Sequence, residues 1–396
     1  MKKICSMTMA GLLAVLATGC EKNNDPDVEL SYSMDIEPQN LHLTYNGEAL
    51  HGKAASVAVT GNRLTVELSG ADFDLAPYLG DAAQMVPGLP QSLPTTGVFP
   101  GSESTTLEVT MASDNAFSGS GQSDCCTFDY SGVLADGVLT CDFTNVLLKD
   151  QSFAGTYAPR TAYEEDWFGD MALVNKGYHY KWESPDSIII DMGGGYVMDP
   201  VSIGDMVTLA LAFAGGINPA DKIGEHLENF EFRPDGNVIM SYVTSEENGS
   251  EVLVSPANVC HYVYEGSRLR VFVNPAAIVK AAASGRSRAD EGGLDLTALI
   301  KSLADYYVPM VADGVPVQLS QEADSVELYL DNQLMNPIFK AAGAVLSVPE
   351  IQEMIKQMAS ANMPEMAPML NSMLPQLPAA IANTTRFELG LSLVKQ

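Results

Sequence analysis

The sequence contains few positively charged side chains. Lys and Arg total 21 against 50 Asp and Glu, so the formal net charge is −29. Nucleic-acid phosphates are bound by clustered Lys and Arg, and this charge balance therefore argues against a nucleic-acid partner. An acidic surface of this kind suits an exported, water-soluble body better than a polyanion-binding protein.

Signatures of catalysis are also scarce. The sequence has 5 histidines, and no two of them have the spacing of a zinc site. It contains neither a G-x-S-x-G nucleophile elbow nor an S-x-x-K motif that precedes a core helix. Adjacent acids such as Glu164-Glu165-Asp166 can serve glycoside hydrolysis, but they are far more common as solvated loop charge. We therefore expect a non-enzymatic protein with no catalytic residue, no metal and no cofactor.

One glycine run could be mistaken for a phosphate-binding loop. Gly193-Gly194-Gly195 follows the apolar stretch Ile188-Ile189-Ile190. A phosphate loop would need Lys-Ser or Lys-Thr immediately afterwards, and neither follows. The run therefore predicts a sharp bend of the backbone, for which glycine has the necessary conformational freedom.

No apolar run reaches the ~20 residues of a membrane-spanning helix. The apolar run nearest the start of the sequence, Met7 to Val15, is too short as well. It follows Met1-Lys2-Lys3 and precedes the small residues Ala17-Thr18-Gly19, and this order is typical of a secretory signal. Cys20 comes next and supplies the thiol that lipoprotein processing requires. An ordinary signal peptide followed by a chance cysteine is the alternative.

The segment around Cys20 resembles the bacterial lipobox, with Leu16 one place earlier than usual and Ala17 in the leucine position. This resemblance implies that residues 1–19 are a signal peptide and that Cys20 carries the lipid. Residues 20–30 are polar and acidic, and we expect them to form a disordered tether. The expected location is the outer membrane, on its periplasmic face or at the cell surface, with the membrane bound through the lipid alone.

The rest of the chain is longer than the segment that one hydrophobic core usually stabilises, and this length predicts two domains. The predicted fold class is mainly β, and α+β overall. Residues 31–150 show short alternating strands separated by turn residues, as in an antiparallel β meander. Residues 151–396 combine similar strands with inserted and C-terminal helices. The proline-bearing stretch from Gly70 to Ser104 is predicted to be a long surface loop.

Cysteine placement argues against a disulfide framework. Alternation on both sides of Ala135-Asp136-Gly137 predicts a hairpin that places Cys141 opposite Gly132. Cys126 then lies roughly 20 Å further along the strand, beyond the reach of a disulfide. We expect Cys125, Cys126, Cys141 and Cys260 to be free thiols that pack as small apolar groups, with metal binding by Cys125-Cys126 as the alternative.

Spacing in the second domain predicts its elements. Apolar residues at helical intervals predict helices over 205–214, 294–308, 335–345 and 349–361, and a helix interrupted by prolines over 364–382. Alternation predicts strands over 187–192, 229–232, 238–243, 259–264, 268–273, 326–330 and 386–394.

Methionine is unusually frequent, with 19 residues. Six of them are concentrated near the C-terminal end, at Met354, Met358, Met363, Met366, Met369 and Met373. Flexible thioether side chains can fill an irregular apolar interface or line an adaptable ligand pocket. The spacing from Met363 to Met369 is also similar to that of motifs that bind copper(I), a third interpretation. These six methionines are the candidate pocket residues.

Together with the lipobox, the acidic tether and the meander, Gly155-Thr156-Tyr157 resembles the opening of lipocalin-like domains, with Tyr157 in place of their tryptophan. The chain is thus similar to Bacteroidetes lipoproteins of unknown function that have calycin-like β domains. This resemblance implies a β barrel and a binding role for a small apolar or glycan-derived ligand. The alternative is a structural or interaction subunit of an outer-membrane assembly, bound to an envelope protein.

The anchoring prediction is tested by Cys20→Ser. The hydroxyl cannot form the thioether, so this variant should move from the membrane fraction to the soluble fraction after cell lysis. Cys5→Ser, within the predicted signal, is the control and should leave fractionation unchanged. If Cys20→Ser still sedimented with membranes as the unsubstituted chain does, the lipid would not be the anchor.

Overall fold

The computed structural model describes residues 31–75, 77, 90–165, 170–213, 218–246, 249–282, 306–322, 324–362, 364 and 367–396. The predicted signal peptide, Cys20 and the tether lie outside these residues, as does most of the helix predicted over 294–308. The described chain is mainly β with several helices, which confirms the predicted fold class.

The first unit consists of two facing sheets. The first sheet has the order β1-β4-β5-β8, and its strands are β1 (Ser31–Ile36), β4 (Lys53–Thr60), β5 (Arg63–Gly70) and β8 (Ser104–Thr110). The second has the order β3-β2-β11-β10-β9, with β2 (Leu41–Tyr45), β3 (Glu48–Ala49), β9 (Ala116–Gln122), β10 (Cys126–Ala135) and β11 (Val138–Leu148). Between them run a 3-10 turn, Pro38–Asn40, and a short pair, β6 (Phe73–Asp74) and β7 (Ser92–Leu93).

Alternation places the apolar side chains of both sheets in the space between them. In β5, for example, Leu64, Val66 and Leu68 are buried while their neighbours are more exposed. One pair departs from the antiparallel expectation, since β2 and β11 run parallel. Their register places Leu43 beside Cys141, so the inward-facing stripes of the two strands still coincide.

The hairpin between β10 and β11 has the predicted register, with Gly132 opposite Cys141. Asp136 and Gly137 both have positive φ, at 54° and 76°, as the favoured two-residue hairpin turn requires. Cys126 and Cys141 are fully buried in the apolar core. The expectation that these thiols pack as small apolar groups is therefore confirmed.

The second unit is built on one ten-stranded sheet that curls into a half-barrel. Its order is β18-β17-β16-β12-β23-β22-β21-β20-β19, and β15 also pairs with β23. The strands are β12 (Gly155–Pro159), β15 (Tyr178–Glu183), β16 (Leu227–Phe232), β17 (Val238–Glu246), β18 (Gly249–Val254), β19 (Cys260–Tyr264), β20 (Arg268–Val273), β21 (Val315–Gln321), β22 (Val326–Asp331) and β23 (Arg386–Lys395). A separate hairpin consists of β13 (Thr161–Glu165) and β14 (Met171–Asn175).

The helices lie between these strands. They are α1 (Ile203–Phe213), α2 (Pro219–His226), α3 (Pro275–Ala282), α4 (Pro309–Asp313), α5 (Asn332–Leu346), α6 (Pro349–Asn362), α7 (Ala367–Met373) and α8 (Leu377–Ala382). The Asn218 side chain accepts from the Ala220 N–H at the start of α2, and Asp331 accepts from the Leu334 N–H at the start of α5. The proline-interrupted helix predicted over 364–382 is two helices, α7 and α8.

The strand predicted over 187–192 is not a strand. The chain instead makes two isolated bridges, Ile188 with Val201 and Asp191 with Val197. Gly193, Gly194 and Gly195 between them all have positive φ, so the predicted sharp bend is confirmed. The bend turns the chain back on itself before a longer ladder can form.

The segment from Gly70 to Ser104 also differs from its prediction as a surface loop. Residues 95–100 within it are buried, and the ring of Phe99 stacks on Phe128 with centroids 4.0 Å apart. Phe143 contacts the same ring edge-on. Residues 94–100 form neither a strand nor a helix, but the apolar side chains of Val98 and Phe99 between the two prolines still enter the core.

The main core continues from the first unit into the second. Phe99 and Phe143 belong to the same cluster of buried side chains as Tyr157, Tyr262 and Leu393. A second, smaller cluster joins the end of the half-barrel to its helices, and its buried members are Ile188, Ile190, Ile203, Met206, Phe339, Met369, Met373, Ala380, Ile381 and Phe387. The predicted domain boundary at residue 150 therefore coincides with the start of a new sheet, and the buried cluster continues across it.

Replacement of the Phe99 ring tests whether residues 95–100 contribute to the core. Phe99→Ala should lower the free energy of unfolding by about 3–5 kcal/mol, because it leaves a cavity among aromatic rings. Urea denaturation followed by circular dichroism measures the change. Tyr163→Ala, at an exposed position of β13, should change the same quantity by less than about 0.5 kcal/mol. Equal effects of the two substitutions would show that residues 95–100 do not contribute to the core.

Candidate functional site

A cleft of about 630 Å³ lies on the first unit, between β8 and β9. Each of these strands is the last of its sheet, so the cleft is bordered by two strand edges. It is lined by residues 101–108 and 120–124, together with the rings of Phe128 and Tyr130. Its volume lies in the range of ~300–1,000 Å³ that is usual for small-molecule sites.

The lining side chains are mostly polar. They are hydroxyls of Ser102, Ser104, Thr105, Thr106, Ser120 and Ser123, carboxylates of Glu103, Glu108 and Asp124, and the amide of Gln122. In antiparallel strands, every second residue also directs its N–H and C=O away from the paired neighbour. The cleft therefore offers many hydrogen-bond donors and acceptors and little apolar surface.

Two glycines of β9 explain how the aromatic rings fit beneath this polar lining. Gly121 lies opposite Phe128, and Gly119 lies opposite Tyr130. A Cβ added to Gly121 would lie 2.6 Å from two atoms of the Phe128 ring, and one added to Gly119 would lie 2.5 Å from the Tyr130 hydroxyl. The rings occupy the space that side chains on β9 would otherwise fill, so both edges of the cleft remain open.

Thr105 is the most informative side chain in the cleft. It lies on the inward side of β8, and its Oγ1 is buried without a hydrogen-bond partner among the described residues. A buried hydroxyl without a partner costs roughly 1–3 kcal/mol. A polar atom of a ligand in the cleft could remove this cost by pairing with Thr105.

A second group of unusual side chains lies at the junction of the two units. Lys53 is buried, and its Nζ donates to Thr96 O at 2.9 Å. Burial lowers the pKa of Lys53 to about 7. His261 packs against the ring of Tyr45 at 5.2 Å, and burial together with the charge of Lys53 lowers its pKa to about 4 against the opposing effect of Asp235.

Shifted pKa values are often a mark of catalytic groups. Neither Lys53 nor His261 lines the cleft, however. His261 of the second unit packs on Tyr45 of the first, and Lys53 of the first unit is close enough to His261 to lower its pKa. The Tyr45 hydroxyl donates to Asp235 O at 2.5 Å, and Asn237 forms the bridge with His261. We therefore interpret these groups as part of the junction and not as a reactive site.

A third group lies on the half-barrel. His179 Nε2 is 2.7 Å from Glu388 Oε2, and His179 Nδ1 is 3.1 Å from Glu327 Oε2, although the second contact lacks hydrogen-bond geometry. Burial raises the pKa of Glu388, but hydrogen bonds from Arg386 and His179 outweigh it, and the net pKa is lowered. These side chains come from β15, β22 and β23, which they join across the sheet.

The predicted methionine pocket is only partly within the described residues. Met369 and Met373 are buried in the second core cluster. Met354 and Met358, on α6, are 41% and 58% exposed. Met363 and Met366 lie outside the described residues, so the common pocket remains a prediction and the copper(I) site remains an alternative interpretation. The sequence analysis did not predict the cleft between β8 and β9. The pattern that could have indicated it is the alternation of Gly119 and Gly121 near the aromatic residues Phe128 and Tyr130.

Two features are absent from the residues that the structure describes. They contain no cluster of three or more His, Cys, Asp or Glu side chains arranged to hold a metal ion. No helix among them combines the length and the apolar character needed to cross a membrane.

Comparison with known proteins places the chain in no family. No protein-family model, no curated protein and no solved structure matches it.

The junction lysine gives a pH-dependent prediction. Between pH 7 and 10.5 the unfolded chain holds a proton on Lys53 that the folded chain has lost, so the stability of the folded chain should rise with pH across this window. Lys53→Met should remove this rise and increase stability at pH 7, by roughly 1.4 kcal/mol for each unit of pKa shift.

Urea denaturation at several pH values measures both effects. Lys340→Met, at an exposed position of α5, is the matched control and should leave the slope unchanged. A Lys53→Met variant that retained the slope of the unsubstituted chain would contradict the assignment.

Proposed function

We propose that this chain is an envelope-anchored, non-enzymatic lipoprotein whose first unit binds a glycan-derived ligand in the cleft between β8 and β9. The observation that carries the proposal is the cleft lining, in which hydroxyl, carboxylate and amide groups surround two aromatic rings. Of the two ligand classes expected from the sequence, apolar and glycan-derived, this lining favours the second.

The lining chemistry matches that of a sugar. Neighbouring hydroxyls of a glycan both donate and accept hydrogen bonds, and Ser, Thr and Gln side chains do the same. Carboxylates such as Glu103 and Glu108 accept from two hydroxyls at once. Edges of Phe128 and Tyr130 provide the apolar contact that the C–H groups of a sugar ring require. Several weak hydrogen bonds are sufficient to bind and orient a sugar that undergoes no reaction.

The lipid on Cys20 is the remaining part of the proposal. An N-terminal anchor and a flexible tether would keep the cleft close to a membrane without embedding it. The half-barrel of the second unit supports the resemblance to calycin-like lipoproteins, because curled antiparallel sheets are the basis of that fold.

Thr105→Val tests the proposal. The substitution keeps the side-chain shape but removes the hydroxyl, so it should leave stability unchanged or improve it, while binding weakens by about 5- to 10-fold. Calorimetric titration with maltoheptaose, xylohexaose and chitohexaose measures affinity, and decanoate serves as the apolar probe.

Two further variants complete the design. Ser104→Trp places a large ring at an exposed position of the cleft and should abolish binding while the protein remains folded. Thr127→Val, on the outer face of β10, is the matched control and should bind as the unsubstituted chain does. Binding of decanoate in place of all three oligosaccharides, or binding that Ser104→Trp leaves intact, would contradict the proposal.

A second candidate function is an interaction subunit of an envelope assembly. One face of the β13–β14 hairpin presents Tyr163, Met171 and Leu173, and all three are largely exposed. Tyr163 and Leu173 lie directly opposite each other and form a continuous apolar stripe. Such stripes are frequent at protein–protein contacts.

A further inference from the structure

The outer face of the first sheet continues the lining of the cleft. Thr106, which lines the cleft on β8, lies directly opposite Glu67 of β5. Glu67 in turn lies opposite Ser56 of β4, and Ser56 lies opposite Asp35 of β1. Directly opposed side chains have Cβ atoms ~4.5–5.5 Å apart, so no other residue separates the members of this row. The row therefore leads from the cleft across every strand of the first sheet.

The side chains of this row point away from the core. Val57, Val66 and Leu107 each adjoin a member of the row in the sequence, and all three are buried in the core. Successive residues of a strand point to opposite faces of the sheet, so the row lies on the outer face. Its two acidic members are exposed, and the serine between them is half-buried. The serine is thus a low point between two longer side chains.

Two hollows of about 330 and 500 Å³ lie on this face. Asp35, Ser56 and Glu67 line both of them. Ala58 lines the smaller hollow and Ala54 the larger one, so small residues of β4 form the floor of each. Because the hollows share three lining residues, they form one continuous groove along β4, the β4 groove.

The polar groups of the β4 groove are available to a ligand. Among the described residues, the carboxylates of Asp35 and Glu67 form no ion pair and no hydrogen bond. Carboxylates are strong acceptors, and the Ser56 hydroxyl between them both donates and accepts. No Lys or Arg lines the groove, so an uncharged chain of hydroxyl groups fits it better than an anionic one.

Other classes of ligand match this face poorly. A peptide that added a strand would need free backbone groups, but β4 and β5 are paired on both sides. An apolar ligand would remove two carboxylates from water without offering them a hydrogen bond, which is costly. A sugar chain contacts side chains alone and supplies the donors that the carboxylates accept.

We propose that the ligand is an extended, uncharged glycan that passes from the cleft into the β4 groove, along the row from Thr106 to Asp35. The inference rests on the proposed function and specifies the length and charge of its ligand. Neighbouring strands are ~4.8 Å apart, close to the length that one sugar ring adds to a linear chain. About three further rings therefore have room over β5, β4 and β1.

The dependence of affinity on chain length tests the proposal. Calorimetric titration compares maltotriose with maltoheptaose, xylotriose with xylohexaose, and chitotriose with chitohexaose. In the series that binds, the longer chain should bind about 10-fold more tightly, because it alone reaches the β4 groove. The trisaccharide measures binding in the cleft and thus tests the proposed function separately.

The outcomes of this comparison are distinct. Equal affinity for both lengths would overturn the extended site and leave the cleft as the whole site. Absence of binding by every oligosaccharide would overturn the extended site together with the proposed function. A longer chain can also enter the cleft in several registers, and substitutions in the β4 groove separate that effect from new contacts.

Ser56→Trp fills the β4 groove. The affinity for the longer chain should fall to about that for the trisaccharide, while the trisaccharide affinity stays unchanged. Thr144→Trp is the matched control, because it adds the same ring at an exposed position of β11 that lines neither the cleft nor the groove. This control should bind both lengths as the unsubstituted chain does.

Glu67→Ala is a second variant that adds no volume. Loss of the carboxylate should weaken binding of the longer chain by about 5- to 10-fold and leave the trisaccharide unaffected. Circular dichroism and the urea midpoint establish that each variant is folded. Long-chain affinity that both groove variants retain, or an equal loss for both lengths in a folded Glu67→Ala variant, would overturn the proposal.

Discussion

The shared apolar core is the constraint on which the rest of the structure depends. Phe99 and Phe143 from the first unit and Tyr157 and Leu393 from the second belong to one buried cluster. A chain with a net charge of −29 gains little from its scattered surface ion pairs, which contribute at most ~1 kcal/mol each. Burial of these side chains is therefore what holds the two sheet systems together.

Polar groups at the junction fix the relative orientation of the two units, but their burial lowers the stability of the folded chain. Lys53 and His261 are buried there, and desolvation disfavours their charged forms. Asn258 hydrogen-bonds across the junction to Glu48 O and Ala49 O. Directional contacts of this kind permit fewer relative orientations than apolar packing alone, and the cleft of the first unit thus keeps a fixed relation to the half-barrel.

Sequence pattern was most informative where one face of an element is buried. The β10–β11 register and the bend at Gly193 follow directly from local alternation and glycine placement. The parallel pairing of β2 with β11 depends on a contact between distant segments, which periodicity does not encode. The cleft was missed for a related reason: Ser, Thr and Gly carry no distinctive chemical signature until two sheet edges bring them together.

The position of β23 has a consequence for the order of folding. This strand pairs with β12, β15 and β22 and thus joins strands that are far apart in the sequence. Pairing of distant segments is slow because the long loops between them must first be closed. The local hairpins should therefore form before β23 enters the sheet, and its entry is the step that makes the half-barrel one continuous ladder.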